Sequence, residues 1–388
     1  MIFRTRDGGR SWTAITRGLA PNAPVNVVRE DPKVRGLLFA GTEREVYVSF
    51  NDGDDWQPLS LNLPRTSVRD LIVHGDDLAI ATHGRGFWIL DDMTPLRELA
   101  GRSPERLALR PRRGTTAAAR TTIPDDPRAS LSGGRSFLYK PQTAYRLRRN
   151  NWSDTPLPPE FPAGQNPPDG AIIDYYLAAD TDVILDVLTA AGVRVRHYSS
   201  REPSSPIDEK AINVPMYWAR PPQVLSGAKG MHRFVWDLRY PAPGAVQRDF
   251  PISAIRGDTP LEPLGVLALP GEYMIRLTAG ASTYTQPLTL KMDPRASITS
   301  IGLTRQFLLA TRIAGMMNRT FASIANASRS ASPQSPAPGS QSDLMALNND
   351  LATALDVVEG ADRAPTAQAA AAVAHLERRV NALLKGTP

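Results

Sequence analysis

Two short stretches of the chain carry one pattern. TRDGGRSW, Thr5 to Trp12, reads Thr-x-Asp-x-Gly-x-x-Trp, and SFNDGDDW, Ser49 to Trp56, reads Ser-x-Asn-x-Gly-x-x-Trp. The two tryptophans are 44 residues apart, a spacing that fits one four-stranded antiparallel unit of a repeat protein. Taken alone, Asp52, Asp54 and Asp55 could be a catalytic carboxylate cluster, a metal loop or part of a tight turn. Repetition favours the turn, because a catalytic acid pair has no need to recur in each unit. In a turn every position has a structural task. Asp7 or Asn51 accepts hydrogen bonds from backbone N–H groups further along. Gly9 and Gly53 supply positive φ without a Cβ penalty. Trp12 and Trp56 are expected to be large apolar anchors for a hairpin with little core of its own. Asp52, Asp54 and Asp55 fall on the variable positions and are expected to face solvent.

Strand signals surround both copies. VNVVRED (Val25 to Asp31), GLLFAGT (Gly36 to Thr42), EVYVSF (Glu45 to Phe50) and WQPLS (Trp56 to Ser60) read as four short strands. VRDLIVHG, DLAIATHG and RGFWILDDM then begin another unit, with FWIL as a buried strand. β-Branched and apolar runs bounded by Gly, Asp and Asn support each assignment. Over Phe3 to about Pro95 the chain resembles the Asp-box (BNR) repeats of sialidase-like and sortilin-like β-propellers. The resemblance implies a partial propeller of about two blades over residues 1–97, with Thr5, Asp7, Gly9, Trp12, Ser49, Asn51, Gly53 and Trp56 as its structural box residues. Propellers close with about four to eight blades. An open arc leaves strand edges unpaired, so the chain is expected to be the C-terminal part of a longer protein whose N-terminal blades are missing here.

The rest of the chain changes character in steps. Residues 98–168 read as a Pro/Arg-rich connector, in which SFLYKPQTAYRLRRNN adds a strand or two and WSDTPLPPEFPAGQNPPDG forms an extended spacer. Residues 169–296 read as a β-sandwich, with hairpin turns at TAAG and TAGAS. DGAIIDYYL, FVWDLRYP and PGEYMIRLTAG resemble the Ig-like domains that follow Asp-box propellers in large exported bacterial proteins. Trp236 is expected in the core and Asp237 in a turn contact. Residues 300–388 have helical periodicity. Leu308, Ile313, Met316 or Met317 and Phe321 form one stripe; Leu344, Leu347, Leu351 and Leu355 form a second; Val373, Leu376, Val380 and Leu383 form a third. A short helical bundle is expected, with a Ser/Pro linker at 328–342 and N-caps at Asp343 and Thr366. The fold class is therefore mainly β with an α-helical C-terminus.

Composition narrows the chemistry. The chain has 388 residues and no cysteine, which excludes disulfides, thiolate metal sites and cysteine nucleophiles. The net charge of +6 is scattered, with no basic run interleaved with aromatics, so no nucleic-acid partner is expected. No apolar run reaches the roughly 18–20 residues that cross a bilayer. MIFRTRDGG lacks the apolar region of a signal peptide. The location implied by the resemblance is extracellular or periplasmic, as part of a longer exported protein.

The strongest catalytic candidates lie in THGRGFWILDDM. His83 could serve as a base, Arg85 as an anion clamp, and Asp91 or Asp92 as an orienting carboxylate or metal ligand. The structural alternative is a Gly-Arg-Gly hairpin followed by a strand whose two aspartates cap the next turn. The resemblance to sialidases directs attention to Tyr47 and Glu45, which alternation puts on one strand face. His74, His83, His197, His232 and His375 show no ligand spacing. NDGDD lacks the distal glutamate of a calcium loop. No metal and no cofactor are expected. The resulting reading is a recognition or scaffolding region that binds carbohydrate or protein. The alternatives are a glycoside hydrolase whose site needs the missing blades, and a sortilin-like peptide receptor.

Overall fold

The computed structural model describes residues 1–59, 61–102, 135–148, 158–161, 164–202, 206–210, 212–251, 255–330 and 339–385. The chain is mainly β with a helical C-terminus. It forms two units. The first comprises Met1–Gln142 with Ile173–Thr181 and Ala228–Arg233; the second comprises Thr143–Ile172, Asp182–Gly227 and Phe234–Pro388. Within the expected connector and spacer, residues 103–134, 149–157 and 162–163 lie outside the described residues.

Residues 1–102 of the first unit hold three sheets that repeat one plan at different degrees of completeness. Strands β3 (Val25–Glu30), β4 (Leu38–Thr42), β5 (Val46–Ser49) and β6 (Gln57–Pro58) form a four-stranded antiparallel sheet in chain order. Strands β1 (Phe3–Arg4) and β2 (Thr13–Ala14) reproduce its last two strands, one motif earlier. The registers coincide: Phe3 opposes Ala14 and Arg4 opposes Thr13, as Tyr47 opposes Pro58 and Val48 opposes Gln57. The flanking bond repeats too, Ile15 N–H to the Ile2 carbonyl at 3.0 Å and Leu59 N–H to the Val46 carbonyl at 2.8 Å.

Strands β7 (Val68–His74), β8 (Asp77–Thr82) and β9 (Phe87–Leu90) reproduce the first three strands. Each first pair carries a register shift at its start, between Val25 and Val27 and between Val68 and Asp70. Each second hairpin is closed by a threonine: Thr42 donates from its N–H and Oγ1 to the Glu45 carbonyl, and Thr82 does the same to Gly86. Instead of a fourth strand the chain enters helix α1 (Thr94–Arg102). Arg97 of α1 pairs with the buried Asp31 carboxylate at 2.8 Å. The connector expected from residue 98 thus begins inside this helix.

Two apolar clusters join these sheets. Phe39, Val46 and Val48 meet Val68, Leu71, Leu78 and Ile80, with Met93 and Ala100 of the helical segment. Ile2 and Ile15 meet Leu38, Ala40, Tyr47 and Trp56. FWIL is not the buried strand expected. It is an edge strand of a three-stranded sheet, and alternation leaves Phe87 84% and Ile89 59% exposed.

In the second unit β11 (Ala144–Arg146), β17 (Ser282–Met292), β16 (Gly271–Ala279), β13 (Val183–Thr189) and β14 (Arg194–Ser199) form a five-stranded sheet in that order, with β11 parallel to β17. Residues 137–138 and 144–146, within the expected connector, are thus sheet strands, β10 (Phe137–Leu138) and β11. β10 belongs to the first unit and lies in a three-stranded sheet with β12 (Ala171–Leu177) and β15 (Gly230–Trp236), most of whose residues are counted with the first unit as well. Trp236 is fully buried and packs edge-on against Tyr273 at 5.4 Å. Asp237 accepts a bond from Arg239 N–H at 3.2 Å, a turn contact.

Helices α2 (Ser300–Ser330), α3 (Gly339–Glu359) and α4 (Ala367–Lys385) close the second unit around Ile313, Met316, Met317, Leu347, Leu351, Leu355, Val373 and Val380. Thr366 caps α4 through a bond from Ala369 N–H at 3.1 Å. Asp343 is no cap, because α3 begins at Gly339 and carries it inside. Helical structure also takes both ends of the expected linker, whose residues 331–338 lie outside the described set. Leu308 and Phe321 sit on the outer side of their stripe, 61% and 40% exposed.

The turn between α3 and α4 is bound to the sheet by buried charge. Arg146 is 1% exposed and donates to the carbonyls of Leu267 and Ala268 and to Asp362 at 2.8 Å. Arg148 reaches Asp362 at 2.7 Å, and Arg239 reaches Glu359 at 3.4 Å. No helix among the described residues is long and apolar enough to cross a membrane.

Candidate functional site

The two motifs close as turns through the same circuit. In the first, Gly9 N–H donates to Thr5 Oγ1 at 2.8 Å, Ser11 N–H to Asp7 Oδ1 at 2.9 Å, and Thr5 Oγ1 to Asp7 at 3.0 Å. In the second, Gly53 N–H donates to Ser49 Oγ at 2.9 Å, Asp55 N–H to Asn51 Oδ1 at 2.9 Å, and Ser49 Oγ to Asn51 at 3.0 Å. Gly9 and Gly53 have φ of 90° and 86°, where a Cβ is strained. Hydrogen bonds from the Ser11 hydroxyl and N–H bring the Asp7 carboxyl down to about 2. A side chain committed in this way is not a base held ready near neutral pH.

Asp54 and Asp55 are exposed, as expected, and Asp52 is half-buried; all three also pair with arginines. Asp52 pairs with Arg4 and Arg6, Asp54 with Arg4 at 2.8 Å, and Asp55 with Arg17 at 2.5 Å. They tie the second turn to the hairpin of the preceding repeat, through exposed pairs worth little each. Among the described residues no group of three His, Asp or Glu could hold a metal ion. Trp56 is 4% exposed and donates from its indole to the Ile15 carbonyl at 2.9 Å. Trp12 departs from the expected anchor: it is 60% exposed and donates only to Gly9 of its own turn. The second motif has the β1–β2 hairpin against it, whereas among the described residues nothing buries the first in the same way.

The four catalytic candidates do not converge. His83 and Arg85 are exposed on the β8–β9 turn, and Asp91 and Asp92 follow the far end of β9. A four-residue strand separates them by roughly 13 Å at about 3.3 Å per residue. The hairpin is closed through its backbone, with His83 N–H donating to Ser67 and Trp88 Nε1 to the Arg85 carbonyl. By register Leu90 stands where Ser49 does, so Asp92 occupies the place of Asn51 in a third, degenerate copy of the motif. Its Oδ1 accepts from Thr94 N–H at 2.9 Å, which leads the chain into α1.

The surroundings of the aspartates include two residues that no sequence signal marks. Arg233 forks onto the buried Asp174 at 2.9 and 2.8 Å and donates to the Asp91 carbonyl at 2.9 Å. Burial, with Asp77 beside it, raises the Asp91 carboxyl; burial likewise raises Asp92. Asp92 is 4% exposed and held at its backbone by Asp77, an arrangement that fixes the chain and offers no open face to a substrate.

Tyr47 and Glu45 do meet, with the Tyr47 hydroxyl donating to Glu45 Oε1 at 2.7 Å. The same hydroxyl accepts from Ala20 N–H, and Tyr47 is 2% exposed within the cluster of Ile15 and Trp56. Burial first, and the bond to Glu45 second, raise its pKa. A nucleophile needs an open approach and a lowered pKa, and Tyr47 has neither.

What the fold does gather is the opposite end of these sheets from the motifs. There the β4–β5 turn (Glu43, Arg44, Glu45), the segment Arg65–Arg69 and the β8–β9 turn (His83–Arg85) are locked together. Thr66 N–H donates to the Arg44 carbonyl at 3.1 Å and His83 N–H to Ser67 at 2.9 Å. Asn26 bridges Glu43 and the Val68 carbonyl, and Arg69 pairs with Glu43 at 3.0 Å. Arg44, Arg65, Arg69 and Arg85 are all exposed, against two partly buried glutamates. Of these, only Arg85 is among the candidate site residues that the sequence marks. Arg69 lies in a strand that the sequence marks, without any sign of a site, and Arg44 and Arg65 are single arginines in unpatterned turns; only the repeat geometry collects them.

No family model and no curated protein matches the chain. A solved structure that it resembles is the extracellular domain of a hybrid two-component system from B. thetaiotaomicron, at 8% identity and a TM-score of 0.18, covering 73% of this chain and 27% of that one. At that score the likeness carries no argument about fold or function.

Proposed function

We propose that this chain is a non-catalytic recognition region of an exported propeller protein, and that it binds acidic carbohydrate on the arginine-bearing turns of its first unit. The observation that carries the reading is the locked end just described, where backbone bonds between turns of two repeats hold the exposed Arg44, Arg65 and Arg85 at one end of the sheets. Such a surface loses little entropy on binding, and guanidinium forks suit carboxylate and sulfate groups. On this reading the repeats of the first unit are blades of an Asp-box propeller whose remaining blades lie elsewhere in the protein, and the second unit is an Ig-like sandwich with a helical cap.

A glycan array probed with the full chain at low and high ionic strength tests this. Binding of acidic glycans that weakens with salt, and is lost in Arg44→Glu/Arg65→Glu/Arg85→Glu, is expected. Binding indifferent to the triple variant, a preference for acidic peptides over glycans, or turnover of a fluorogenic glycoside would each overturn it.

A further inference from the structure

The first sheet has two strands where the second has four. By register Ile2, Phe3 and Arg4 stand where Val46, Tyr47 and Val48 stand. In the second sheet the other edge of β5 is covered by β4, with Gly41, Ala40 and Phe39 opposite those three residues, and β4 is covered in turn by β3. Among the described residues no strand pairs with the corresponding edge of β1. Beside it lies an open cleft of about 450 Å³, lined among others by Ile2, Phe3, Ile15, Val27, Val28 and Leu38. An unpaired edge next to an apolar cleft is a template for strand addition.

We propose that β1 and this cleft form a docking site for a polypeptide β-hairpin of the β3–β4 type. Its two antiparallel strands would carry small or β-branched apolar residues at alternate positions, with the nearer strand pairing antiparallel to β1. The inference rests on reading the first unit as an arc of repeated sheets, and the second sheet serves as its template. The template decides the number of strands, since two lie beyond β5. It also decides the character of the inner face. Val28, which borders the cleft and is only half-buried, lacks the apolar cover that Phe39 and Val48 of the same sheet have in their cluster with Val68 and Leu71. A second copy of the chain is the weaker occupant, because its own β3–β4 hairpin is already bounded by β5 and packed on β7.

The probe is the chain's own hairpin sequence, residues 24–45, used in two ways on the full chain. It is added as a synthetic peptide, and it is fused ahead of Ile2, where Glu43–Glu45 of the copy reproduce the link between β4 and β5. Fusion raises the effective concentration to the millimolar range. Amide exchange at residues 2–4 is the readout, and protection by about tenfold or more in either arm is expected. Val28→Lys puts a charge into the cleft at a half-buried position, and should cancel the protection while leaving exchange in β7 unchanged. Absence of protection in both arms overturns the proposal. So does protection that survives Val28→Lys, or self-association of the unfused chain that protects residues 2–4 without the hairpin. Glycan binding at the arginine turns is read separately, so either result can fail alone.

Discussion

Trp56→Ala and Trp12→Ala remove one side chain from one place in the repeat, yet the structure assigns them unequal costs. A buried tryptophan covers roughly 200 Å², which at about 25 cal/mol per Å² gives ~5 kcal/mol. Partial burial in the unfolded chain lowers this to about 3–4 kcal/mol, in line with large-to-small core substitutions. Loss of the indole bond to Ile15 adds about 1 kcal/mol. Trp12, at 60% exposure, retains less than half of that burial and a bond only to its own turn, so about 1 kcal/mol is expected. The chain has two units and need not melt as one, so amide exchange at Leu38–Thr42 is the better assay. β4 contributes Leu38 and Ala40 to the cluster around Trp56. Trp56→Ala should speed exchange there by about two orders of magnitude or more, and Trp12→Ala by less than about tenfold, at 1.4 kcal/mol per decade. Equal acceleration would refute the reasoning, since it would mean that the motif and not its burial sets the cost.

Gly18 has φ of 92°, and a Cβ there would lie 2.0 Å from the Trp56 carbonyl oxygen, whereas Gly8, with φ of 72°, faces open space. Gly18→Ala should therefore cost about 3 kcal/mol or more and Gly8→Ala about 1 kcal/mol, read from the same exchange. Asp7 titrates at about 2 in the folded chain, below its ordinary 3.8, so its contribution to the first turn is complete above the ordinary value and is lost as pH falls through about 2. A carboxyl carbon titration by NMR should show that midpoint, and Asp7→Asn, which copies Asn51, should keep the turn and remove its acid sensitivity. Tyr47→Phe should cost about 1 kcal/mol through the bonds to Glu45 and Ala20 and leave glycan binding unchanged. A loss of binding would place Tyr47 in contact with the ligand.

The sequence made the coarse architecture legible because each class of element has its own period. Two-residue alternation marked EYMIRLT and the helical stripes marked Leu344 to Leu355, and both lie where the pattern puts them. The motif residues were legible in chemistry but not in burial. Thr5, Asp7 and Gly9 bond as Ser49, Asn51 and Gly53 do, whereas Trp12 and Trp56 part company because only the second has a hairpin to cover it. FWIL looked like interior because four apolar residues in a row read the same on a central strand and on an edge. Arg233 and Asp174 were invisible, being 59 residues apart and joined only by the fold. The same holds for the arginine turns, since no spacing in the chain announces that Arg44, Arg65 and Arg85 share an end.

The charged lock of the second unit bears on where this polypeptide can be cut. A boundary chosen before Glu359, to discard the helices as an accessory, would leave Arg146, Arg148 and Arg239 in the protein interior without their carboxylates. Removing one side of a buried ion pair costs about 3–5 kcal/mol. The β part of this unit should therefore be expressed together with its tail, or with those arginines replaced by apolar residues of similar volume.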